Sequence, residues 1–298
     1  MLVQKKFSVV EVVRSIWRPL LVLFLLDCLV TAAYVGLKWT WIAPREVPLP
    51  LIGTGLAVFL GLRNNTAYSR WWEARTLWGS ITNHSRNFAR SLAMLLPSTQ
   101  DDAAKAKLIQ HQIAWAHALR ASLRREDVEG VTRPFLPAET LAAIQASTNA
   151  PFAIQREMAA LLADAARRGR LDPIQATALN TTLSALTDAQ GGLERIRNTP
   201  MPRQYALFPR IFVGVYCLML PFGVVPDLGV LTPVGSTLIG FIFLALDAAG
   251  RNLEDPFARS VHDVPMSAIT RTIEIDLKQA LGHSDDPIPL RPIRGVLR

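Results

Sequence analysis

A chain of 298 residues, 50% of them hydrophobic, can bury one large core or two modest ones. Its net charge of +8 would suit nucleic acid or an anionic membrane surface. The sequence has no zinc-finger cysteines, no aromatic-basic strand motif and no heptads after a basic region, and its arginines flank apolar blocks; the expected partner is a lipid bilayer, with no nucleic acid.

The first apolar block, PLLVLFLLDCLVTAAYVGL at residues 19–37, approaches the roughly 20 residues that a helix needs to cross a hydrocarbon core. LVTAAY within it resembles a signal cleavage site. The block is longer than a usual signal core and follows a lengthy amphipathic segment, so it reads as a retained span. Only Asp27 interrupts it. Either that carboxylate is functional, or it faces other helices and bonds a hydroxyl or backbone group; nothing nearby names its partner.

The second block, PLPLIGTGLAVFLGL at 48–62, spans only if its polar continuation RNNTAYSRWWEARTLWG at 63–79 stays helical. Thr54, Val58 and Leu62 fall at i, i+4 and i+8, one stripe of a helix, and Gly53, Gly55 and Gly61 offer small surfaces for close helix approach. Such a stripe is either ordinary packing or, repeated around a symmetric ring, a hydrophobic constriction that gates by dewetting. Continued as helix, Tyr68, Trp72 and Arg75 share a face, Trp71 and Trp78 lie beside it, and Glu73 reaches Arg70. Asn64 and Asn65 arrive where a permeating ion would regain polar company. Tryptophan and arginine suit a plain membrane–water boundary equally well.

Residues 80–200 read as helices throughout. DDAAKAKLIQHQIAWAHALRASLRR opens with acids and closes with bases, matching the helix dipole, and carries a stripe of Leu108, Ile109, Ile113, Trp115, Ala116 and Leu119. NAPFAIQREMAALLADAARRG ends at Gly169, a natural C-terminal position. In LDPIQ, Asp172 is the expected N-cap with Pro173 in the first turn. Two further apolar blocks follow at 211–226 and 228–246. The expected organisation is an all-α integral membrane protein. Residues 1–79 hold an N-terminal segment and two spans, 80–208 a cytoplasmic helical domain, 209–250 two more spans, and 251–298 a cytoplasmic C-terminal segment.

Charge sets the orientation. Lys5, Lys6, Arg14, Arg18, Arg63, Arg70, Arg75, Arg203, Arg210, Arg251 and Arg259 flank the blocks on one side; Lys38, Arg45, Glu46 and Asp227 are all that the other side carries. By the positive-inside rule both termini and the long middle segment are cytoplasmic. Cys28 and Cys217 sit in apolar blocks, where cysteine acts as a small buried hydrophobe rather than a disulfide partner. The histidines at 84, 111, 117, 262 and 283 include no i,i+4 zinc pair, and there is no phosphate loop or nucleophile elbow. No catalytic residue, metal or cofactor is expected.

GLRNNTAYSRWWEARTLWG resembles the signature of the bacterial bestrophin family, and LIQHQIAWAHALRASLR, ERIRNTPMPRQYA, LPFG, NLEDPF and ITRTIEIDL are similar to further family motifs, in family order over nearly the whole chain. The resemblance implies a homopentameric ion channel of the bacterial inner membrane, with four spans per subunit, passing small monovalent ions. It places a pore neck at Thr54, Val58 and Leu62 and a cytoplasmic aperture at Ile174, just after the Asp-Pro pair. It also implies a pore-helix signature of Arg63, Asn64, Asn65, Arg70, Trp71, Glu73, Arg75 and Trp78. The helix would turn polar because it descends from the neck into a wider vestibule, its aromatic face anchoring neighbouring helices. Two departures stand out. The family usually has a bulky apolar residue where this chain has Thr54. Eukaryotic relatives follow their Asn-Pro-Phe with an acidic, calcium-holding cluster, whereas here Ala258, Arg259 and Ser260 follow EDPF, so calcium gating of that kind is not expected. The neck has no charge, which leaves anion (chloride) against cation selectivity open. The rival class is a membrane-bound scaffold or sensor without ion flux.

Overall fold

The computed structural model describes residues 9–43, 48–96, 101–282, 287–293 and 295–297; Lys5, Lys6, Arg45, Glu46 and His283 lie outside the described residues. Among the described residues the protein is all-helical apart from one isolated bridge between Ile293 and Val296. The chain divides into two compact units. Among the described residues, one is built from those up to Trp71 together with Pro200–Asp255, the other from Trp72–Thr199 together with those from Pro256 on.

The first unit contains α1 (Val9–Thr31), which runs on into a π-helical turn at Ala32–Gly36. It also holds the early part of α2 (Leu49–Leu95), with α8 (Arg203–Leu228) and α9 (Thr232–Glu254). Val12–Gly36 and Arg203–Glu254 are long and apolar enough to cross a membrane. A 3₁₀ turn at Gly229–Leu231 divides the longer stretch into α8 and α9, so it supplies two helices rather than one. Pro209, Pro221 and Pro226 stay within α8, as apolar helices packed by neighbours tolerate. Leu23, Leu56, Leu60, Tyr216, Leu220 and Phe243 form the centre of the core, drawn from all four helices. Outside it, Val22, Leu25, Leu29, Val234 and Leu238 are each 58–67% exposed, an apolar surface far larger than a water-soluble unit carries.

Asp27 is fully buried in this unit. Its Oδ1 accepts from Ser236 Oγ at 2.9 Å and its Oδ2 from Thr237 Oγ1 at 2.8 Å, both on α9. Of the two readings open at Asp27, the structure shows the bonded one: α1 is tied to α9 through adjacent hydroxyls.

The second unit contains the rest of α2, then α3 (Asp102–Arg124), α4 (Val128–Thr132), α5 (Ala138–Gln145), α6 (Ala150–Arg167), α7 (Pro173–Asn198) and α10 (Met266–Ala280). The predicted stripe on α3 is buried, but so are His111, Gln112, Ala114, His117 and Ala118 between its members. α3 is therefore a central helix packed on every side. Most of its buried donors are bonded: Trp115 Nε1 donates to Gln190 Oε1 at 2.9 Å and Gln112 Nε2 to Ser85 Oγ at 2.9 Å, while Gln112 Oε1 has no hydrogen-bond partner. Burial holds His111 below the usual imidazole range, against the pull of the Lys107 carbonyl it contacts at 2.7 Å. α6 ends as its sequence foretells, with Gly169 just beyond it at φ +69°.

Glu274 of α10 collects three partners: the His117 ring at 3.2 Å, Lys278 at 2.9 Å and Arg271 at 3.2 Å. Burial raises its pKa, but the hydrogen bonds from His117 and Lys278 and the charge of Arg271 outweigh it and pull the carboxyl from 4.5 to about 2. A folded-state pKa below the unfolded one means stability that is present above pH 4.5 and lost as pH falls toward 2. Glu274→Gln should thus lower the melting temperature at pH 7, by a loss on the order of 3 kcal/mol. The gap from the parent should close by pH ~2. Parallel melts at several pH values would check both.

Candidate ion pathway and its anchors

Because α2 is one continuous helix, residues four apart stack along one face. The stripe of Thr54, Val58 and Leu62 is bare: Val58 is 60% and Leu62 65% exposed, and Thr54 is exposed with them. Leu56 and Leu60, on the opposite face, are buried in the core at 6% and 0%. One side of the helix is thus fixed and the other presents apolar groups to nothing in the subunit. Thr54 fits the stripe in spite of its hydroxyl, which is taken up locally by donating to the Pro50 carbonyl at 2.8 Å.

One residue past the stripe, Arg63 is fully buried and anchors α2 to α9. Its Nη1 donates to Asp247 Oδ1 at 2.8 Å and to the Asp247 carbonyl at 3.3 Å, and its Nη2 donates to Glu254 Oε1 at 2.6 Å. Arg251 adds a second cation, 3.3 Å from Asp247 Oδ2. Asn64 turns the same way, its Nδ2 donating to the Leu246 carbonyl at 2.9 Å. Asn65, by contrast, is exposed and continues the bare face. The close approach requires glycine at 250: a β-carbon there would strike the Asn64 amide oxygen and crowd Arg63 Nη1 at 3.2 Å. Gly250→Ala should destabilise the protein by about 1–3 kcal/mol through overpacking, measurable as a lower melting temperature. An unchanged melt would show that the cluster yields freely.

The remaining signature residues do several jobs. Trp71 stacks on Tyr68, centroids 6.2 Å apart and planes 23° from parallel, while Arg70 and Arg75 are half-buried. Glu73 pairs with Arg195 of α7, a longer reach than the local contact with Arg70 expected from sequence. Trp78 is fully buried in the core. Ile174 is 82% exposed in the first turn of α7. A capping box holds that turn: Gln175 N donates to Asp172 Oδ1 at 2.8 Å, and Asp172 N donates to Gln175 Oε1 at 3.0 Å. Pro173 fixes the residue between. A large aliphatic side chain thus projects uncovered from a capped turn. Asp247 and Gly250 were missed from sequence. The available signal was a carboxylate at 247 and another at 254, two turns apart on one face of α9, each able to meet a buried arginine. No group of His, Cys, Asp and Glu among the described residues could hold a metal ion.

A family model described as Bacterial/Fungal Bestrophin protein matches residues 5–279. The chain is 38% identical to the voltage-dependent anion channel-forming protein YneE of Salmonella typhi over 282 residues, 93% of this chain and 90% of that protein. It is 37% identical over 261 residues to the like-named YneE of Escherichia coli strain K12, covering 88% of this chain and 83% of that one. The crystal structure of a bacterial bestrophin homolog from Klebsiella pneumoniae superposes with a TM-score of 0.86 at 32% identity, over 90% of this chain and 99% of that chain. Motifs, family match and fold agree along almost the entire sequence, and the chain belongs to the bestrophin family.

Proposed function

We propose that five copies of this chain surround a central axis and conduct small monovalent ions across the bacterial inner membrane. Each subunit contributes four spans, and both termini are cytoplasmic. As a bestrophin the chain is an ion channel and not an enzyme. The observation that carries the pore assignment is the bare stripe on α2 opposite a fully packed face. With a rise of 1.5 Å per residue, Thr54 to Leu62 makes a neck about 12 Å long. Five such stripes enclose an apolar throat in which water is poorly held, so wetting controls conduction. Asn65 continues the face with an amide beyond the throat. Ile174, uncovered on its capped turn, forms the second, cytoplasmic constriction.

The throat carries no charge, so the sign of the permeant ion depends on vestibule charge and dehydration. The relatives named as anion channel-forming proteins and the net charge of +8 support anions. The test is the reversal potential of the purified protein in a planar bilayer under a KCl gradient. A value near the chloride potential supports the anion reading, and one near the potassium potential replaces it with a cation channel. Silence from an intact pentamer, with an alanine-widened neck equally silent, would overturn the channel assignment in favour of a scaffold.

A further inference from the structure

The second unit contains a cavity of about 520 Å³ between α3, α4 with the turn that follows it, and α10. That volume is in the range of small-molecule sites. Part of its wall is apolar, from Ile113, Val131, Pro134 and Leu281, and Phe135 contributes a ring stacked on His117 with centroids 5.4 Å apart and planes 9° from parallel. The rest of the wall is charged, with Arg120, Arg271 and Lys278 beside Glu274.

The cations there are short of counter-charge. Glu126 is shared by Arg259 at 2.6 Å, Arg120 at 3.6 Å and Arg124 at 3.9 Å. Glu274 is shared by Lys278, Arg271 and His117. Of these groups Arg120, Arg271, Lys278 and Glu274 line the cavity, whereas Glu126, Arg124 and Arg259 lie behind its wall, with Asp263 beside Arg124. Arg120 is the least satisfied. Its side chain is 16% exposed, its Nε has no hydrogen-bond partner, and its nearest carboxylate stands beyond hydrogen-bond range. Burial pulls its pKa down; Glu126 opposes this, and the crowding of Arg259 and Arg271 adds to it. A positive, partly desolvated wall beside an aromatic ring is chemically incomplete without an anion.

We propose that this cavity binds a small organic anion, its phosphate or carboxylate held by Arg120, Arg271 and Lys278 and its carbon frame lying against Phe135. Nothing in the ion pathway uses these residues. The site therefore stands apart from the residues proposed for the pore.

The probe is phenyl phosphate, titrated calorimetrically into the full-length protein in a neutral maltoside detergent, with phenol and inorganic phosphate as comparisons. The expected result is one site per chain, with phenyl phosphate bound more tightly than either fragment. Arg120→Gln and Arg271→Gln should each weaken binding about tenfold or more. Arg271→Lys, which keeps the charge, should recover part of the affinity. Each variant is first checked by its melt and its elution volume, and Lys278→Gln, 29% exposed, serves if one fails to fold. No binding, or binding that these variants leave unchanged while Ile174→Ala alters it, would overturn the proposal. Inorganic phosphate binding as tightly as phenyl phosphate would overturn the assignment of an organic ligand. The readout needs no current, so it stands or falls independently of the pore.

Discussion

Arg63→Ala should remove the folded channel rather than retune it. The expected loss is about 3–5 kcal/mol, seen as a sharply lower melting temperature and as aggregate on size exclusion. Truncation leaves Asp247, with a side chain 4% exposed, and Glu254 without the guanidinium that both of them use. Stranding a buried carboxylate is far more costly than losing a surface pair. Arg251, 3.3 Å from Asp247, relieves only part of this because its own side chain is 39% exposed. Arg63→Lys should fall between the two, since one ammonium cannot fork to two carboxylates as a guanidinium does. A parent-like melt for Arg63→Ala would sink this account of the anchor.

That anchor also marks where the sequence could be read and where it could not. The stripe of Thr54, Val58 and Leu62 follows from helical spacing alone, and the capped turn bearing Ile174 follows from Asp-Pro-Ile-Gln, because both are local patterns. The partners of Arg63 lie 184 and 191 residues away, and only the packing of α9 against α2 brings them together. Sequence could say that Arg63 and Asn64 were unusual, but not that both turn toward α9 while Asn65 alone stays on the bare face. The α3 stripe shows the opposite limit. Its apolar positions are the expected ones, yet the helix is buried all round because its intervening histidines and glutamine find bonding partners, and polarity alone would have placed those in water. The four apolar blocks and the all-helical fold were legible because lipid forces backbone groups to bond within each segment.

The second large effect is on current. If the proposed fivefold neck is right, Leu62→Ala should produce a severalfold rise in unitary current, since five aliphatic side chains would retract from one ring of a throat limited by wetting. Ile174→Ala should change current less and relative permeability more, because a single ring on a polar surface selects at one point rather than along a length. Recordings from reconstituted single channels would check both. Unchanged currents and reversal potentials in both variants would remove Leu62 and Ile174 from the pathway. A change at Leu62 alone would leave the neck and dismiss the aperture. Neither substitution touches the Arg63 cluster, so the melts should stay near the parent value.

The bond between Asp27 and the hydroxyls of Ser236 and Thr237 has a consequence in time. Its partners are 209 and 210 positions apart in the chain. At 5–20 residues per second, synthesis takes on the order of 10–40 s to deliver α9 after α1 has emerged. Throughout that interval the nascent first span carries an acid with neither hydroxyl in reach, in or beside a medium that penalises it. Closure of the apolar unit is thus timed by its last helix. A ribosome stalled before α9 leaves a chain whose Asp27 has neither of these hydroxyl partners.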